Sequence, residues 1–433
     1  MMRGVTASGR RIGRVASLLA ALAFALAQAA AAGEFRLLLE GEAGVRDEGS
    51  YGGLQDEELR RDEALARAGI DLQLSYALER LNLALGYFPS YERSLKDADV
   101  SGTTHRLDFG LSADLARRLR LDVRERLLST PNLDLYAPVT TAETTAVTRR
   151  GDQLSHALDV GLDIGFRRRA SLQLGVGHSL RRFEDDRLSD SEALDARIGA
   201  GFELARGRRI EATAGLGQYD YKERGDADAR TLGLAYAFDL GRSNHLRLEA
   251  GAFSVDSTRR SLVPGPAGAV ETVEERDSAE GWRGGAQFAQ ERQLFRWALG
   301  LSQDISPGAG LGRAAVVDNG FLGISVPIGR RLELGLDGNA SRQSDVSSRE
   351  GEDEALTEFA AGTARVAWTF VPAFRLAAGY SRVWQRSHVE PFADLSYSRY
   401  FLSLAFRIFS TGDTPREPES LGRPTDDEEP DDQ

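Results

Sequence analysis

Apolar and polar side chains alternate with a period of two residues along most of the chain between residues 33 and 409. Successive side chains of a β-strand point to opposite faces, so this alternation predicts strands with one apolar and one polar face. The pattern is clearest at 154–166 and 64–78, where helical periodicity fails. In the first of these segments the apolar residues are Leu154, Leu158, Val160, Leu162, Ile164 and Phe166. The chain is therefore predicted to be all-β.

The predicted strands are joined by connections of two alternating lengths. Short turns are predicted at 79–80, 116–118, 167–169, 205–209, 241–245, 290–293, 329–331 and 371–373. The longest polar loops between them are predicted at 129–152, 256–280 and 343–358. Eight turns that each join two strands, with one further strand before and one after, give about 18 strands, with about 16 as the lower bound. Short periplasmic turns and long extracellular loops are typical of a transmembrane antiparallel up-and-down β-barrel.

The first 32 residues have the composition of a secretory signal peptide. Four arginines up to Arg14 precede an apolar stretch at 15–27 and a run of alanines, and we expect cleavage after Ala32. The alternative is a membrane anchor, but the apolar stretch is shorter than the roughly 20 residues that a spanning helix needs. The predicted organisation is a signal peptide at 1–32, an outer-membrane barrel at 33–409, and an acidic tail at 410–433.

Charge and cysteine content exclude several classes of function. A formal net charge of −12 does not favour binding to the anionic backbone of a nucleic acid, so we expect no nucleic-acid partner. The chain has no cysteine, so a disulfide framework, a thiolate metal site and a Cys nucleophile are excluded. The tail has nine acids, two arginines and four prolines, which predicts a disordered periplasmic segment, with partner binding as the alternative.

Aromatic residues are predicted to form two bands where lipid tails meet head groups. The alternative is that they belong to the core of a soluble β-sandwich or β-helix, but the mean hydropathy of −0.34 favours a single lipid-facing band around a wet interior. The band at the loop ends comprises Tyr87, Tyr219, Tyr221, Phe253, Trp282, Tyr380 and Trp384, and the band at the turns comprises Phe166, Phe202, Phe238, Phe295, Trp297, Trp368, Phe370 and Phe374.

The polar faces of the predicted strands carry mixed charges, and we assign these faces to the lumen. Two interpretations stay open: a water-filled passage whose opposed charges orient polar solutes, or cross-strand ion pairs that only satisfy one another. The lumen-lining candidates are Asp71, Arg124, Asp159, Asp163, Arg247 and Arg365.

Catalytic and metal chemistry find little support in the sequence. The five histidines are scattered, and neighbours such as His178 and Ser179 point to opposite faces of a strand, so they cannot act as base and nucleophile. Acidic clusters such as 350–354 lack the spacing of a calcium loop. We predict no cofactor, no metal site and no enzymatic activity, with an outer-membrane lipid hydrolase as the least favoured alternative.

Three passages resemble a porin-like outer-membrane β-barrel family associated with exopolysaccharide and exosortase systems. They are LSADLARRLRLDVRERLLSTPNLDL from Leu111, GISVPIGRRLELGLDGNASRQSD from Gly323, and SYSRYFLSLAFRIF from Ser396. The resemblance implies a role in the passage or assembly of surface polysaccharide. Together with the strand pattern, it predicts an outer-membrane channel for polysaccharide or small polar solutes. The expected partners are outer-membrane lipid and the barrel-insertion machinery, with both termini in the periplasm. A structural barrel that docks periplasmic partners is the alternative.

Overall fold

The computed structural model describes thirteen segments of the chain, and it contains eighteen β-strands within them. The described residues are 34–50, 63–95, 101–132, 150–166, 169–184, 189–222, 224–241, 243–264, 270–292, 294–306, 314–345, 355–388 and 395–410. The strands are β1 (Glu34–Ser50), β2 (Glu63–Leu78), β3 (Leu81–Ser94), β4 (Ser101–Ala116), β5 (Leu119–Asn132), β6 (Arg150–Gly165), β7 (Ala170–Phe183), β8 (Ser191–Ala205), β9 (Arg208–Tyr221), β10 (Gly225–Asp239), β11 (Asn244–Pro264), β12 (Val270–Glu291), β13 (Arg296–Ser306), β14 (Ala315–Ile328), β15 (Leu332–Asp345), β16 (Ala355–Val371), β17 (Phe374–Ser387) and β18 (Leu395–Ser410).

The strands form one closed antiparallel β-barrel. Each strand pairs with the next along the chain, and β1 also pairs with β18, with Glu40 opposite Arg407. Closure satisfies the backbone hydrogen-bonding groups of what would otherwise be two edge strands. The predicted fold and strand number are confirmed. The predicted signal peptide at 1–32 and all of the tail beyond Ser410 lie outside the described residues.

Eight turns of two to four residues lie at one end of the barrel, here called the short-turn end, at the positions predicted from the sequence. Gly207 shows why these turns are tight: its φ of 71° is in the left-handed region that glycine adopts without strain. At the opposite end, the prediction of a long polar loop at 256–280 is wrong. β11 continues to Pro264 and β12 begins at Val270, so this region is an extended hairpin.

Contacts that pass over an intervening strand identify the concave, lumen-facing side of the sheet. Arg375 of β17 reaches over β16 to Glu333 of β15 (Nη2 to Oε2, 3.1 Å), and Arg209 of β9 reaches over β8 to Ser171 of β7 (Nη2 to Oγ, 3.0 Å). The other side of the sheet carries exposed apolar residues such as Leu232 and Leu216, at 65% and 63% exposure. The apolar faces of the strands therefore point outward.

The predicted aromatic band at the loop ends is wrong for three of its members. Trp282 and Trp384 lie exposed on the outer face. Tyr219, Tyr221 and Phe253 instead share the lumen-facing positions of β9 and β11, because they are an even number of residues from inward-facing Glu211 and Glu249. The three aromatic rings belong to a largely buried apolar cluster with Ala227, Ala229, Val255 and Ala314.

Burial of the inner wall differs between the two ends of the barrel. Far from the short turns, the lumen-facing side chains of Val255 and Gln385 are 0% and 2% exposed. Closer to the short turns, the side chains of Asp337 and Arg197 are 55% and 62% exposed. A wall of 18 strands encloses more space than its own side chains fill. The inner wall is thus buried at the end opposite the short turns and more exposed to solvent closer to them.

Candidate pore lining

All six predicted lumen residues lie on the inner face of the barrel, but they do not form one site. Arg124 on β5 is the register partner of Asp159 on β6, and Arg120 is the partner of Asp163 in the same ladder. The remaining three lie on separate strands, Asp71 on β2, Arg247 on β11 and Arg365 on β16. The structure therefore distributes five of these residues over three charged arcs along the inner wall, and Asp71 lies on β2 between the third arc and the first.

The first arc lies on β4 to β8 and combines paired with unpaired charges. Arg126 contacts Asp108 (Nε to Oδ1, 3.2 Å), and Arg197 of β8 reaches over β7 to Asp159 of β6 (Nη2 to Oδ1, 3.9 Å). Gly175 of β7 makes this crossing possible, because a Cβ there would lie 2.6 Å from Arg197 Nε. Arg124 is exposed and has no ion pair with a described residue.

The second arc lies on β9 to β13. Arg247 contacts Glu211 across β10 (Nη1 to Oε2, 3.4 Å), and its Nη2 lies 3.8 Å from Glu249 Oε2. Arg283 bridges Glu249 and Asp304, with both N–O distances at 3.1 Å. Arg283 and Asp304 were not predicted to face the lumen. Alternation along β12 could have identified Arg283 as lumen-facing. It is an even number of residues from Gly281, Gly285 and Gln287, which lie opposite inward-facing positions of β11.

The third arc lies on β15 to β18 and β1, near the short-turn end. Arg365 of β16 lies 3.8 Å from both Glu333 and Asp337 of β15. Glu333 also contacts Arg375, and Arg407 of β18 contacts Glu40 of β1 (Nε to Oε1, 3.3 Å). This last pair closes the arc across the seam between the first and last strands.

These arcs give the inner wall a pattern of alternating charge at short range. Exposed ion pairs of this kind contribute about 0–1 kcal/mol to stability, so their main effect is on the field inside the lumen. Acids and bases fixed on neighbouring strands produce local fields that orient dipoles and attract solutes of either charge. The arrangement suits contact with polar, hydrated molecules.

A polar cluster on the outer face crosses β5 to β8. His156 Nε2 lies 3.1 Å from Glu125 Oε1, and His178 Nε2 lies 3.0 Å from Glu192 Oε1. The two imidazole rings are 5.9 Å apart. Among the residues that the structure describes, neither histidine has the hydrogen-bonded serine partner that a hydrolytic triad requires. The described residues contain no group of three or more His, Asp or Glu side chains placed to hold a metal ion.

Comparison with known proteins bears on the strand arrangement alone. No protein-family model and no curated protein sequence matches this chain. The structure is similar to Pseudomonas aeruginosa OccK2 (OpdF), with 13% identity, a TM-score of 0.44, and coverage of 87% of this chain and 98% of that one. The outer membrane protein OpdK from Pseudomonas aeruginosa has 11% identity and a TM-score of 0.41, with coverage of 86% of this chain and 99% of that one. Acinetobacter baumannii OccAB1 has 10% identity and a TM-score of 0.43, with coverage of 87% of this chain and 97% of that one.

No helix in the described part of the chain is long and apolar enough to cross a membrane.

Proposed function

We propose that this protein is a channel in a bacterial outer membrane that passes small polar solutes. The observation that carries the proposal is the division of one closed sheet into an apolar, exposed outer face and a charged inner face. Lipid contact favours the first kind of surface, and a water-filled passage favours the second. The predicted signal peptide supports export to this membrane.

The six lumen candidates are proposed as part of the passage. Asp159, Asp163 and Arg124 lie on adjacent strands in the part of the inner wall that is more exposed to solvent. A solute that crosses the barrel would pass these three side chains. Their mixed charge favours hydrated solutes with a dipole over apolar ones.

A finer assignment is export or assembly of a surface polysaccharide. It is supported by the sequence resemblance described above. Liposome-swelling rates for neutral oligosaccharides and for amino acids of similar size will distinguish the two kinds of cargo.

The channel proposal is tested with cysteines at two neighbouring positions of β6, which is straightforward because the chain has no cysteine. In intact outer membranes, a water-soluble thiol reagent should label Asp163→Cys and leave Ile164→Cys protected, because these side chains point to opposite faces. The purified barrel should conduct ions in a planar bilayer, and a bulky adduct at position 163 should reduce that conductance.

Three outcomes are informative. Equal labelling of the two cysteines would contradict the assignment of faces. Correct labelling without conductance would contradict the channel and favour the alternative, a structural barrel that docks periplasmic partners. Recovery of the mature protein as a soluble periplasmic species would contradict the membrane location.

A further inference from the structure

A recess of about 350 Å³ opens on the inner wall at the short-turn end, between the β14–β15 turn and the β16–β17 turn. Backbone hydrogen bonds tie both turns to their neighbours. Thr369 N donates to Arg331 O (2.7 Å), and Arg407 N donates to Ala373 O (2.8 Å). The walls of the recess are therefore held in place by the strand ladder itself.

The recess has an excess of positive charge. Its charged lining residues are Arg330, Arg331, Arg375, Arg407, Glu40 and Glu333. Glu333 lies 3.1 Å from Arg375, and Glu40 lies 3.3 Å from Arg407, so each acid is engaged by one arginine. Arg330 and Arg331 are exposed and have no ion pair with a described residue, which leaves an excess of two positive charges. A pocket with this balance attracts an anion.

The acidic end of the same chain begins beside this recess. Arg407 lines the recess, and three residues later β18 ends at Ser410, which is paired with Leu38 of β1. Residues 411–433 contain nine acids and two arginines. The first acid, Asp413, follows Ser410 by three residues, a separation of at most about 10 Å in an extended chain. A tether this short produces effective concentrations on the order of millimolar.

We propose that the acidic segment 411–433 binds this recess, with its carboxylates on the Arg330 and Arg331 guanidinium groups. Arginine binds carboxylates with two parallel hydrogen bonds, which suits this pairing. A lipid phosphate is the poorer fit, because the recess lies on the inner face and lipid contacts the outer one. A free anion would have to compete with a carboxylate that is covalently tethered within reach.

The test measures disulfide formation between Ala373→Cys, at the edge of the recess, and Thr414→Cys in the full-length purified barrel. Docking should make the disulfide form faster at low salt than at high salt, because exposed ion pairs are screened. In the background R330Q/R331Q the rate should fall about fivefold, the effect of losing two exposed ion pairs of ordinary strength. The control R117Q/R118Q removes the same charge from the β4–β5 turn and should leave the rate unchanged.

Two results would overturn the proposal. One is a rate of disulfide formation that is equal in the parent, R330Q/R331Q and R117Q/R118Q backgrounds, or that does not depend on salt. Either outcome would mean that the tether alone brings the cysteines together. The other is calorimetric binding of inorganic phosphate that R330Q/R331Q abolishes while the disulfide rate stays constant, which would make the recess a small-anion site. Heat-modifiable gel migration verifies that each variant is folded. The disulfide rate does not depend on conductance, so a failed channel assay leaves this test valid.

Discussion

His156 Nε2 on β6 donates a hydrogen bond to Glu125 Oε1 on β5 (3.1 Å), on the face of the barrel opposite to the one that carries Arg124 and Asp159. The register partners of the two residues are Leu127 for His156 and Leu158 for Glu125. A polar pair thus lies among leucines on the surface that we assign to lipid. The hydrogen bond between the two side chains reduces, but does not remove, the free-energy cost of placing polar groups against lipid.

We predict that the double variant Glu125→Leu/His156→Leu is more stable than the parent by about 1–2 kcal/mol, because well-packed apolar residues often replace a desolvated polar pair with a gain. The measurement is equilibrium unfolding by urea in phospholipid bilayers. The matched control is Arg124→Leu/Asp159→Leu, which removes a register-paired acid and base from the lumen and should give no gain. A loss of stability in the first variant would show that the outer face at β5–β6 is not lipid-exposed.

Glycine 225 offers a second prediction, which concerns the backbone. Gly225 has φ 135°, and a Cβ there would lie 1.8 Å from the Thr258 carbonyl oxygen of β11, which is held in the strand ladder. We expect Gly225→Ala to destabilise the barrel by about 2–4 kcal/mol, the sum of left-handed strain and a steric clash. Gly241→Ala is the control, because φ is 84° there and no atom lies within 4 Å, so only about 1 kcal/mol is expected. Similar losses in both variants would contradict this account.

A third prediction tests the lumen-facing position of Phe253. The chain has four tryptophans, and Trp282 is 65% exposed on the outer face. In a background without the other three tryptophans, Trp282 should be quenched by nitroxide-labelled lipids. A Phe253→Trp variant in which all four native tryptophans are phenylalanine should be quenched weakly, since the sheet separates this position from lipid. Comparable quenching at the two positions would show that position 253 faces lipid, as the predicted aromatic band requires.

Local features of the sequence were sufficient to predict the number of strands and the faces of most of them. Alternation within β6 places Asp159 and Asp163 on one face and Ile164 on the other, and this depends on no partner strand. The eight short turns have few residues and are flanked by uninterrupted alternation, so their positions also follow from local pattern.

The remaining features depend on pairing between strands. The bridge from Arg283 to Glu249 and Asp304 joins three strands, and its composition follows from registers that no single segment encodes. Tyr221 and Phe253 were assigned by their closeness to the ends of strands. Their spacing from Glu211 and Glu249 by even numbers of residues was the more reliable signal, because orientation alternates along a strand regardless of its ends.

The extended hairpin leaves an open margin on β12. β12 pairs with β13 over 284–291 only, so within the described residues 270–283 have a partner on the β11 side alone. Such a margin presents unpaired backbone groups that can add a strand from another chain, and charged side chains are a common protection against this. The stretch carries Glu271, Glu274, Glu275, Asp277 and Glu280. The acidity that made this region resemble a loop is therefore suited to keeping neighbouring barrels from joining edge to edge.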